Sequence, residues 1–340
     1  MSTDAVLTSA PAAASTRATE RSVMFETPWH DYAVFGGVLR SDIALPELVP
    51  SFGARPDWTF RVEATPAPAS AAESIGERQL GHESYWLCRT PSGLRLEYSH
   101  AGTFDISGDG ATIVWYHRAD ADMELVRTIL LGSALALALE ASGFLCLHAS
   151  AVTIGARALA FIGPKFHGKS TLAAALTSAG ARLIGDDLLA VSPGPPATVR
   201  PGVASVRLWS DTARALAVDS FCTTVIPGLK TTAAGFAELA LHRGVAPLEA
   251  VYVLTPVHAD AMSEVAHRER LSGVAAAVAL ASHTKLPDSL IGLRAAGSQL
   301  TACATIARTV PIYTLRVVRS LARLPDLVEQ IINWHQEGDA

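Results

Sequence analysis

Residues 160–176 read AFIGPKFHGKSTLAAAL. Gly163, Gly168, Lys169 and Ser170 fit the pattern G-x-x-x-x-G-K-[ST], in which an apolar strand delivers a tight loop and a helix starts directly behind it. The chemistry dictates the residue types. Glycines let backbone amides turn inward, the helix aims its positive end at the β- and γ-phosphates, and an ammonium adds a compact charge. A hydroxyl in the first helical turn can enter a Mg²⁺ shell. The set expected to cradle ATP is Gly163, Pro164, Lys165, Phe166, His167, Gly168, Lys169, Ser170 and Thr171, with Ser170 on Mg²⁺ and Thr171 on an α-phosphate oxygen. Pro-Lys-Phe-His fills the middle, where such loops usually carry small residues. For His167 two readings stand, donation to a phosphate or capping of the loop.

Lysine usage supports the same stretch. The chain has four lysines, Lys165, Lys169, Lys230 and Lys285, against 23 arginines, and two of the four lie in this loop. An ammonium grips phosphate as a point charge that a planar guanidinium does not replace at close quarters. Downstream, LIGDDLLAV places Asp186 and Asp187 at the end of the next apolar run. Adjacent side chains at a strand end diverge, so one carboxylate can take a hydroxyl proton while the other holds Mg²⁺ or its water.

Outward from this centre the pattern is α/β. FLCLHASAV and ALAFIG read as buried strands, KSTLAAALTSAG as a helix capped by Gly180, and ARLIGDD as a further strand. More strands are expected at SVRLWS, LEAVYVL and VPIYTLRV, and LPDLVEQIINWHQ reads as an amphipathic helix. Between Tyr32 and Tyr116, short alternating runs such as DWTFRVEA, YWLCRT, LRLEYS and TIVWYH are punctuated by Gly, Pro, Asp and Ser, the signature of strands. The expected organisation is a disordered tail over 1–24, a β-rich N-terminal domain over 25–120 with a scaffolding or peptide-docking role, and a phosphate-loop domain over 121–340 that includes a helix over 123–142.

Composition narrows the class. A net charge of -5 gives no electrostatic reason to expect nucleic acid or anionic lipid as a partner. Cys88, Cys146, Cys222 and Cys303 stand singly, without metal-ligand or disulfide-framework spacing, which fits a reducing cytoplasm. The apolar stretch over 129–147 approaches the length of a membrane span, but Glu140 lies inside it and Gly143 breaks it, so a buried helix running into a strand is expected.

Taken together, these residues resemble the catalytic domain of the HPr kinase/phosphorylase family of P-loop kinases. The resemblance is carried by spacing as well as motif: His148 precedes Gly163 by fifteen residues, and Asp186 follows Lys169 by seventeen. It implies that His148 sits beside the transferred phosphoryl group, that Lys169 and Ser170 hold ATP and Mg²⁺, and that Asp186 acts as base toward a Ser hydroxyl. Asp187 beside it is left to Mg²⁺. RPGVASVRLWSD and YAVFGGVLRSDIALPEL resemble segments of relatives encoded with peptide-modification systems, including the tailoring kinases of lasso peptides. A peptide or small-protein acceptor follows, as does a homo-oligomer. Two departures stand out: Phe166 occupies the position of the family's middle loop glycine, and the family's later Gly-rich acidic segment has no clear copy here.

Arg207 is a candidate to neutralise transition-state charge, the other reading being a stem packed on Trp209. Lys230, in PGLKTT, belongs either to an acceptor-binding loop or to an ordinary exposed turn. Three functions compete: a Ser kinase acting on a peptide, a small-molecule hydroxyl kinase, and a nucleotide-binding partner protein that has lost transfer.

Overall fold

The computed structural model describes residues 29–80, 83–222, 230–258, 261–286 and 292–336. The expected tail over 1–24 lies outside them. Nine strands make the first sheet: β1 (His30–Val34), β2 (Gly37–Ser41), β3 (Val49–Pro50), β4 (Trp58–Glu63), β5 (Glu73–Leu80), β6 (Glu83–Thr90), β7 (Gly93–Tyr98), β8 (Gly102–Ser107) and β9 (Thr112–Tyr116). Their spatial order is β3-β1-β2-β4-β9-β8-β7-β6-β5. Alternation turns Phe104 and Ile106 of β8, and Ile113 and Trp115 of β9, into one core face and leaves Asp105 and Val114 between them half-buried on the other.

That core face is covered by the helical segment α1 (Met123–Ile129), a π turn (Leu130–Ala134) and α2 (Leu135–Ala141). Asp122 caps α1 through the Glu124 amide. Every side chain from Ala134 to Leu139 is buried, which explains the membrane-like run: the helix is apolar all round because it is enclosed all round. Among the described residues no helix is long and apolar enough to cross a membrane. The helix was expected to belong with the second half, but Val126, Leu130 and Leu135 share one core with Phe60, Leu96, Phe104 and Trp115. The apolar face of the sheet needs a cover, and this helix supplies it.

The second half is a mixed α/β layer structure. It contains β10 (Leu145–Leu147), β11 (Ala149–Ile154), β12 (Arg157–Ile162), α3 (Lys169–Ser178), β13 (Arg182–Gly185), β14 (Leu189–Ser192) and β15 (Thr198–Arg200). Then follow β16 (Arg207–Trp209), α4 (Ser210–Ala215), β17 (Lys230–Thr232), α5 (Ala234–Ala240), β18 (Ala246–Val257), β19 (Ala266–Arg270), α6 (Gly273–Ala281), α7 (Gly292–Thr309), β20 (Ile312–Val318) and α8 (Leu324–Gln336). β12, β18 and β20 run parallel, while β11 joins β12 antiparallel.

β12 reads as a continuous apolar run because both of its faces are covered. Leu159 and Phe161 point to the layer of α3 and α8, where Leu172, Leu176 and Ile331 lie. Ala158, Ala160 and Ile162 point to α6 and α7, where Leu280 and Ile306 lie. The strand is thereby fixed on both sides, and its carboxyl end delivers the glycine loop to the open edge of the layers.

Candidate functional site

Between β12 and α3 the chain turns through Gly163 (φ 147°), Phe166 (φ 70°) and Gly168 (φ 90°). A Cβ at Gly163 would stand 3.2 Å from the Leu254 carbonyl oxygen, so the close approach of the loop to β18 requires glycine there. Phe166 takes the left-handed conformation despite its side chain, which costs on the order of 1 kcal/mol. Its exposed ring stacks on Trp209, with centroids 5.9 Å apart and planes 25° from parallel.

Lys169 opens α3 and is 8% exposed. Its Nζ donates to the Gly163 and Pro164 carbonyls at 2.7 and 3.2 Å, arched back over the loop. Burial lowers its pKa, against the opposing charges of Asp186 and Asp187. No side chain caps α3 and its first turn carries no acid, so its leading amides face the loop without a competing anion. His167 donates from Nδ1 to the Leu254 carbonyl at 2.9 Å, since a carbonyl only accepts. The imidazole therefore ties the loop to β18. Pro164 and Lys165 are exposed at the rim, and Thr171 lies half-buried in the first turn of the helix.

The two carboxylates beyond β13 part company. Asp186 accepts from Ser150 Oγ (2.5 Å) and Ser170 Oγ (2.9 Å) on Oδ1, and from the Arg207 amide (3.1 Å) on Oδ2. Asp187, itself left-handed at φ 72°, turns the other way. Its Oδ1 lies 3.0 Å from His148 Nδ1, and Lys285 Nζ donates to its Oδ2 at 2.7 Å and to its carbonyl at 3.1 Å. Burial works against ionisation of Asp187, but the His148 hydrogen bond and the Lys285 charge outweigh it and hold the carboxyl well below the usual range. The side chain is 49% exposed, so solvent moderates these interactions.

β16 and β17 form a two-stranded ribbon beside the loop, with Trp209 opposite Lys230 and Arg207 opposite Thr232. Lys230 Nζ sits 5.9 Å from the Trp209 ring centre. Arg207 contributes its amide to Asp186 and leaves its side chain exposed. Lys230 is thus a strand residue; the preceding segment over 223–229 lies outside the described residues.

The structure brings His148, Lys169, Ser170, Asp186 and Asp187 together, with the Arg207 backbone beside them. Three neighbours escaped sequence reasoning. Ser150 stands two residues beyond His148 and reaches Asp186. Lys285 reaches Asp187, and the scarcity of lysine was its only signal. His283 holds His148 by accepting its amide at 2.8 Å. Burial and the charges of Lys169, His148 and His167 lower the His283 pKa, which favours its neutral form.

Fold and site together define a mixed α/β protein with a glycine loop between a buried strand and a helix, faced by two differently partnered carboxylates. Among solved structures it is similar to the HPr(Ser) kinase/phosphatase from Coxiella burnetii, at 15% identity and a TM-score of 0.32, over 57% of this chain and 97% of that one. No family model and no curated protein matches the chain. The function proposed below rests on the side chains themselves.

Proposed function

We propose that the chain is an ATP- and Mg²⁺-dependent kinase that transfers the γ-phosphoryl group to a Ser hydroxyl of a peptide or small protein. The observation that carries this reading is the Ser170–Asp186 hydrogen bond beneath a loop that also holds Lys169. A hydroxyl in the first turn behind a glycine loop, paired with a carboxylate at the end of a neighbouring strand, is a hard-oxygen set suited to Mg²⁺. Ser170 and Asp186 would hold the ion. Bound ATP and Mg²⁺ supply the phosphoryl group and the charge that neutralises it.

The chain's own groups account for the remaining chemistry. Lys169 exchanges its loop carbonyls for the β/γ oxygens, and the α3 amides receive the phosphates. Asp186 already accepts three hydrogen bonds, which leaves it poorly placed to receive a further proton. Asp187 is ionised and half exposed, with its carboxylate paired to His148 and Lys285 at the open side of the site, and we assign it the Ser hydroxyl proton as the new O–P bond forms and the bond from the γ-phosphorus to ADP breaks. This division reverses the roles expected from the resemblance. The reason is local: the backbone is left-handed at Asp187, whose carboxylate pairs with His148 and Lys285, while Ser170 pairs with Asp186.

A peptide acceptor is supported by the platform of Phe166, Trp209 and Lys230, which offers rings and a cation at the rim of the loop. Incubation with ATP, Mg²⁺ and a library of Ser-containing peptides, read by mass spectrometry, tests the proposal. A mass gain of one phosphoryl group on Ser supports it. ATP binding with no transfer to any peptide, but transfer to small alcohols or sugars, would replace the acceptor class.

A further inference from the structure

A second cavity lies away from the glycine loop, under the β5–β7 end of the first sheet, where α2 and α7 close it from the other side. Its volume is about 330 Å³, within the range of small-ligand sites. Ile75, Leu87, Leu94, Leu137 and Phe144 give it apolar walls, and Arg89 is exposed at its lining. Two polar side chains converge at one end: Gln299 of α7 donates from Nε2 to both oxygens of Glu140 on α2, at 3.0 and 2.9 Å.

This end is incompletely paired. Gln299 is 8% exposed, and its Oε1 is buried with no hydrogen-bond partner among the described residues. A buried amide oxygen left unpaired costs about 1–3 kcal/mol, which a donor not supplied by the described residues would offset. Turning the amide over would only exchange the orphan acceptor for an orphan donor.

We propose that this cavity is a binding site for an apolar group that carries an uncharged amide, the chemistry of a short hydrophobic peptide segment or of a small carboxamide. An amide offers both N–H and C=O, so it would complete Gln299 in either orientation once a small turn of the side chain brings the buried Oε1 to the cavity. The charge state of the site agrees. Burial pushes the Glu140 carboxyl up to about 8, against the hydrogen bonds from Gln299 and the Cys146 backbone, so a neutral ligand meets a neutral acid near pH 7. Around it, Cys146 on β10 has its thiol pushed up by burial, and Arg89 on β6 stands exposed.

The chain links the cavity to the glycine-loop site through β10. Leu145 lines the cavity and opens β10, and three residues on, the chain presents His148 to Asp187. The proposal does not depend on phosphoryl transfer and is read by binding alone.

The test is methyl-selective NMR of the full chain labelled at isoleucine, titrated with N-acetyl-leucinamide and, in a second arm, with a capped Ala-Leu-Ala tripeptide. Saturable movement of the Ile75 signal in the millimolar range, with Ile162 beside the glycine loop unmoved, is the expected result. ATP should do the opposite, so a failure of ATP to bind leaves the cavity result standing. Tighter binding of the tripeptide assigns a peptide source, and equal binding assigns a small amide. Gln299→Met should weaken either probe about tenfold. An Ile75 signal that never moves in the unaltered protein, or equal affinity in a folded Gln299→Met protein, overturns the proposal.

Discussion

Ser170 donates its hydroxyl to Asp186 Oδ1 at 2.9 Å, across 16 residues of sequence that hold all of α3 beyond Lys169. The bond joins the first turn of the helix to the end of a neighbouring strand, and Ser150 reaches the same oxygen from β11. A carboxylate surrounded by two hydroxyls and an amide is organised before any ion arrives. The roles of the two adjacent acids follow from this arrangement.

Asp186→Asn should weaken the Mg²⁺ dependence of ATP binding, since an amide is a poor ligand for a hard cation and its NH₂ would confront donors that now point at a carboxylate. Asp187→Asn should leave ATP affinity within a few-fold and lower transfer by about 10²–10⁴. Calorimetric titrations with and without Mg²⁺, paired with single-turnover transfer, separate the two. The opposite pattern would return the base to Asp186.

Lys285→Met should move the acid limb of the pH–rate profile to higher pH. The Asp187 carboxyl is held low by His148 and Lys285 against the effect of burial. Removing one of the two supports raises its pKa, so protonation silences it at a less acidic pH. A profile with an unchanged acid limb and merely lower amplitude would mean that Lys285 acts elsewhere.

The motif residues were legible because they are local. Gly163, Lys169, Ser170 and the Asp pair sit at fixed positions relative to a strand and a helix, and short-range pattern finds them. Ser150 and Lys285 were not, because sheet pairing places them. Pairing of Ala151 with Gly185 sets β11 beside β13 and so Ser150 beside Asp186. A bond from the Lys285 amide to the Cys146 carbonyl brings that lysine 98 residues through the sequence to Asp187. The segment over 123–141 betrayed its burial by its apolar content, but nothing in its composition distinguished a cover for the first sheet from a part of the second half.

Phe166→Gly sets two effects of similar size against each other. Releasing the left-handed strain stabilises by about 1 kcal/mol, and losing the stack on Trp209 costs about 0.5–1.5 kcal/mol. Stability should therefore shift by less than about 1 kcal/mol, while transfer to a peptide falls more than ATP affinity, because the ribbon loses its tether to the loop. A simultaneous rise in stability, affinity and transfer would make the ring dispensable.

Glu140→Gln should stabilise the protein at alkaline pH. The folded-state pKa is raised from 4.5 to about 8, so the native state retains a proton that the unfolded chain releases. This contribution is fully present below the unfolded pKa and is lost as pH rises through the folded value, amounting to on the order of a few kcal/mol. The variant's Tm should exceed that of the unaltered protein by several degrees at pH 8 and by little at pH 5. A constant difference across that interval would show that burial of the carboxyl carries no such cost.

The central claim is that the loop from Gly163 to Ser170 binds the phosphates of ATP with Mg²⁺, and Lys169 tests it most directly. Its ammonium is buried and bonded to two loop carbonyls, so Lys169→Met removes the charge while keeping much of the stem's packing. Calorimetric titration of ATP with Mg²⁺ into both proteins, with Tm measured alongside, is the decisive comparison. The account predicts saturable one-to-one binding that is lost, or weakened at least about a hundredfold, in a variant as stable as the parent. Equal ATP affinity in the two proteins, or no binding by the parent, would contradict it.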